Sequence, residues 1–124
     1  MAGQGLRDVD DILAFSVRTP EPPGLEIRVN FGMFAGREVT AAEVLELGAA
    51  LLPEIGHAEI SAETRYEIGP DSQADVHQVR IAIPQAALPV DDYLIGELSG
   101  RLVGIAERWA RESIAARHVE VSEL

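Results

Sequence analysis

Cysteine is absent from the 124-residue chain. That excludes disulfides, thiolate metal sites and a cysteine nucleophile. Lysine is absent too, and all ten basic residues are arginine. Genomic base composition produces such a bias, so the set as a whole is not assigned to forked hydrogen bonding. No apolar run approaches the roughly 18 residues that would cross a bilayer. The opening MAGQGLRDVDD has no basic start and no apolar stretch of the kind a secretory leader needs, so the expected location is the cytoplasm. Catalytic and metal signatures are missing as well. There is no HxH or HExxH spacing, no GKS or GKT ending to a phosphate loop, and no Gly-x-Ser-x-Gly elbow. No metal and no cofactor is expected.

Positive charge is also scarce. Ten basic residues stand against 21 acidic ones, a formal net charge of −11. A field of that sign repels phosphate backbones and anionic lipid surfaces, so neither nucleic acid nor membrane is an expected partner.

What is present reads as one α+β domain over residues 1–124, with loose ends at 1–10 and 118–124. Ile12 to Arg18 reads as a strand with Leu13, Phe15 and Val17 on one side. TPEPPG interrupts it, because three prolines forbid regular structure. Leu25 to Phe31 alternates, with Leu25, Ile27, Val29 and Phe31 on one face. GMFAGRE reads as a loop. Thr40 and Glu43 stand at capping-box spacing and open a helix. His57 to Ile68 and Val76 to Ile83 form a second hairpin around GPDSQAD, and a long helix runs from Asp91 or Asp92 to about Arg117. The expected fold is a two-layer sandwich in ββαββα order, with two helices on one face of a mostly antiparallel four-stranded sheet. In the second hairpin the expected register sets Tyr66 opposite His77 and Glu63 opposite Arg80. ELGAALL (Glu46 to Leu52) resembles ELSGRLV (Glu97 to Val103), and IRV (Ile27 to Val29) resembles VRI (Val79 to Ile81), at nearly one offset, which suggests duplicated ββα halves.

The long helix carries the most unusual pattern. Leu94, Leu98, Leu102, Ile105 and Trp109 form the stripe expected to meet the sheet. Gly96, Gly100 and Gly104 lie nearly opposite, accompanied by Tyr93, Val103 and Ile114. Each glycine costs a helix about 1 kcal/mol relative to alanine. Small residues at every fourth position allow two backbones to approach closely. Three placements are open to this ridge: a homodimer contact through Tyr93, Gly96, Gly100, Val103 and Gly104, a contact within the chain, or solvent.

Three further candidates concern chemistry. Tyr66 and His77 form either a buried hydrogen-bonded pair or an acid–base pair in a pocket between sheet and helices, with Arg80 or Arg28 as anion holders. His57, Glu59 and His77 have the residue types of a zinc site without its spacing. Phe34, Gly36 and Arg37, before a helix N-terminus, could hold an anion or meet a partner. Asp71 and Asp75 lack the spacing of a calcium loop. The leading expectation is a small acidic protein that self-associates and binds a protein partner. The alternative is a small-molecule-binding or enzymatic domain at Tyr66 and His77.

Overall fold

A computed structural model describes the backbone of residues 12–19, 24–68 and 73–123, and their side chains except at 64–68, 73–76 and 117–123. The leader before residue 12, the prolines of TPEPPG and Asp71 lie outside the described residues.

The elements are β1 (Ala14–Arg18), β2 (Leu25–Val29), α1 (Phe31–Ala35), α2 (Ala41–Leu51), β3 (Glu59–Ile68), β4 (Gln73–Ile83), a 3-10 turn (Gln85–Ala87) and α3 (Asp92–Glu123). The strands form one sheet in the order β1-β2-β4-β3, antiparallel throughout. The expected α+β architecture is present, with one additional short helix.

Alternation drives the sheet. Leu25, Ile27 and Val29 of β2 pair with Ile83, Ile81 and Val79 of β4, and all six are buried. Leu47 and Leu51 of α2, and Leu98, Leu102 and Trp109 of α3, close over them. α3 packs on β1, β2 and α2, whereas α1 packs on β4. Two local hairpins thus meet along the central β2–β4 seam.

The residues 31–37 that read as a loop contain a helical turn instead. Gly36 ends it at φ 71°, where its N–H donates to the carbonyl of Gly32 at 2.8 Å. That left-handed conformation suits glycine because a Cβ there meets the backbone. Gly32 is equally constrained: a Cβ at this position would lie 2.4 Å from His77 Cβ, so its absence allows α1 to lie against β4. Thr40 caps α2 as expected, with the reciprocal Glu43 bond completing the box.

Three expectations shift. The β3–β4 register sets Thr64 opposite His77 and Tyr66 opposite Asp75, two residues from the expected pairing. Apolar faces still coincide, because a shift of two preserves them. Glu63 still reaches Arg80 at 3.0 Å, diagonally rather than directly across. On α3 the buried residues are Ile95, Leu98, Leu102, Ala106, Trp109, Ala110 and Ser113, whereas Leu94 is exposed. The helix is turned by roughly half of one 100° residue step from the expected stripe, because its alanines let it settle close to the core. α3 also continues past Arg117 to Glu123.

Candidate functional site

The far side of α3 is bare. A Cβ at Gly96, Gly100 or Gly104 would meet nothing within 4 Å among the described residues. The intrachain placement of the ridge is therefore ruled out among the described residues. Tyr93, one turn before Gly96, is 72 % exposed. Val103 and Ile114 differ from the glycines, being half-buried against the core margin. At the N-terminal end of α3, an open groove of about 490 Å³ runs between Ile55, Ala87, Leu88, Pro89, Leu94 and Leu98. The ion pair of Arg101 with Glu54 at 3.0 Å stands at its edge. Val90 and Leu94 add exposed apolar surface there.

The segment around Arg37 is organised inward. Its guanidinium donates to both carboxylate oxygens of Glu43, at 2.9 and 2.7 Å, and to the carbonyl of Glu38 at 2.9 Å. It also lies 5.2 Å from the Phe31 ring centre, and Phe31 in turn stacks at a tilt on Trp109. The guanidinium beside it pulls Glu43 down to about 2 against the opposing effect of burial, and bonds from Thr40 add to the pull. The same hydrogen bond raises Arg37. This arginine already holds an anion, its own carboxylate. Gly36 serves the turn, and Phe34 is exposed beside Met33.

A half-open cleft of about 120 Å³ lies beside His77, lined by Phe31, Gly32, Glu38, Val39, Ala62 and Val79 among others. His77 Nδ1 is 3.5 Å from a Glu38 carboxylate oxygen. Tyr66 is not the residue across from His77, and its side chain lies outside the described residues. Arg80 alternates to the opposite face of β4 from His77, so the structure does not bring these two together. His57 is exposed before β3. Among the described residues no three histidine or acidic side chains converge as a metal set.

Arg28 and Arg80 instead share the open face of the sheet with Glu26 and Glu63. Glu26 accepts from Arg28 at 3.0 and 3.1 Å and lies 3.6 Å from Arg80. It is only 5 % exposed, although among the described residues the helices pack on the other face. Asn30 and Gln78 continue the polar row with a 2.6 Å hydrogen bond. Phe15 and Val17 of β1, half-buried, also belong to this face, since they pair with Arg28 and Glu26. The buried Glu26 and the Asn30–Gln78 bond had no signal in the sequence beyond their place on an alternating polar face.

No family model matches the chain, and no curated protein or solved structure matches it at a significant level.

Proposed function

We propose that the protein works by association, as a cytoplasmic homodimer that binds a further protein. One observation carries this reading: the outer edge of α3 has no side chains at three successive fourth positions, has nothing beside them among the described residues, and is continuous with an exposed tyrosine. Helix propensity alone disfavours such an edge. A neighbouring backbone seated on it offsets that cost through close ridge-to-groove packing. Light scattering at micromolar concentration is expected to give a dimer or larger assembly. Gly100→Leu is expected to weaken the contact with the fold intact by circular dichroism. An assembly unchanged by Gly100→Leu rejects the α3 edge as the contact.

A second reading is supported by the His77 cleft, which pairs an imidazole and a carboxylate over an apolar floor. Its size ranks it second. A volume of about 120 Å³ is well below the roughly 300–1,000 Å³ of drug-sized ligand pockets. It suits a few heavy atoms. Native mass spectrometry of the purified protein tests it. A small molecule retained by the wild type and lost in His77→Ala supports this reading, and a clean apo mass removes it.

A further inference from the structure

Among the described residues β3 is an edge strand of ten residues, paired with β4 on one side only. Edge strands are usually guarded by shortness, proline, a bulge or charged side chains, lysine above all. β3 is long, contains neither proline nor lysine, and pairs with β4 unbroken from Glu59 to Ile68; its charges, Glu59, Glu63, Arg65 and Glu67, are of both signs and can therefore complement a second copy. Its partner strand at the other edge of the sheet, β1, has only five residues. Among the described residues no element other than β4 packs extensively on β3.

Nine of these residues, Ile60 to Ile68, are centred on Thr64. Ile60 and Ile68 are equidistant from it, as are Ala62 and Tyr66, Ser61 and Glu67, and Glu63 and Arg65. Laid antiparallel on itself about Thr64, the strand sets Ile60 opposite Ile68 of the partner subunit and Glu63 opposite Arg65 of the partner subunit. Each unlike-charge pair occurs twice by symmetry. Neighbouring registers are penalised. Sliding two residues one way sets Glu63 against Glu63 of the partner subunit, and sliding the other way sets Arg65 against Arg65 of the partner subunit. Like charges directly opposite destabilise a ladder. Only the register centred on Thr64 unites matched faces, opposed charges and a span reaching from Ile60 to Ile68.

We infer that β3 pairs with β3 of a second copy about Thr64, joining two sheets into one of eight strands with all helices on the same side. This contact goes beyond the α3 edge and lies on a different surface. A chain that uses both has two self-complementary contacts and builds assemblies larger than a dimer.

The absence of cysteine permits a clean test. Thr64→Cys is expected to form a disulfide-linked dimer under mild oxidation about tenfold faster than Ala62→Cys, because only the residue on the symmetry axis brings two Cα atoms within the ~5.5 Å a disulfide spans. A mixture of Ala62→Cys with Tyr66→Cys is expected to cross-link about as fast as Thr64→Cys, and each alone about tenfold more slowly. Arg65→Glu is expected to abolish the β3 contact with the circular dichroism spectrum unchanged. Equal rates for Thr64→Cys and Ala62→Cys, or an assembly unaffected by Arg65→Glu, overturn the inference. Gly100→Cys separates the two surfaces. Cross-linking there with Thr64→Cys silent rejects the β3 contact and leaves the α3 reading in place. The reverse result supports β3 pairing and removes the α3 edge.

Discussion

Arg28 and Arg80 are direct cross-strand partners at the centre of the sheet. Two guanidinium groups face to face repel. Glu26, two residues along β2, offsets this by bonding Arg28 and lying 3.6 Å from Arg80, and Glu63 draws Arg80 from the other side. The two arginines are also the central members of the IRV and VRI segments.

Glu26→Ala leaves both arginines opposed without their shared carboxylate. It is expected to lower unfolding stability by about 1–2 kcal/mol, because a hydrogen-bonded charge partner is lost. Added salt screens the remaining repulsion. Urea unfolding at low and high ionic strength measures both effects, and the deficit should shrink as salt rises.

Glu43 gives the fold an acid-sensitive clasp. Its carboxyl is lowered from 4.5 to about 2 by Arg37. A group whose folded value is depressed adds stability that is full above its unfolded value and is lost as pH falls through the folded one. The contribution is therefore complete above about pH 5 and disappears towards pH 2, with a magnitude on the order of 3 kcal/mol. Glu43→Gln is expected to be less stable at pH 7 and to converge with the wild type at the acid end. Thermal melts across pH 2–7 read the convergence.

Two helical glycines should respond in opposite ways to alanine. At Gly32 a Cβ would meet His77 Cβ at 2.4 Å and its carbonyl oxygen at 3.0 Å. Gly32→Ala is expected to cost about 1–3 kcal/mol through that overlap. At Gly100 there is open space, so Gly100→Ala is expected to stabilise the isolated monomer by up to about 1 kcal/mol. Chemical denaturation in dilute solution compares them.

The sequence made the larger elements legible where periodicity was long or a cap explicit. β2 and β4 alternate cleanly, and Thr40 with Glu43 announced the start of α2. α1 escaped notice because five residues cannot display a helical period. Its signal was Gly36, the left-handed stop. The face of α3 was misjudged by half a step because Ala106 and Ala110 are small and do not register in a stripe of large side chains, although both are fully buried. The hairpin register followed a true attraction, Glu63 with Arg80, which the structure satisfies diagonally. Phe15 and Val17 read as the apolar side of β1, yet pairing with β2 sets them on the polar face that carries Arg28 and Glu26. Of the candidate site, the glycine edge of α3 and the place of His77 on the helix-covered face of β4 could be read from residue order. The pairing of Arg37 with Glu43 and the burial of Glu26 depend on contacts between segments, which spacing does not encode.

The β2–β4 seam gives the molecule the construction of two interlocking clasps. Each hairpin is made from adjacent chain, and the halves meet along Leu25, Ile27 and Val29 against Ile83, Ile81 and Val79. Gly56 sits in the exposed connection between α2 and β3, where a Cβ would touch nothing. Cleavage there would leave a fragment ending after α2 and another beginning before β3. Each would retain its own hairpin together with half of a shared apolar seam. Mixed together, the two pieces should recover the circular dichroism spectrum of the intact chain. The polypeptide link between the halves would then serve to raise their effective concentration, while the seam itself specifies how they fit.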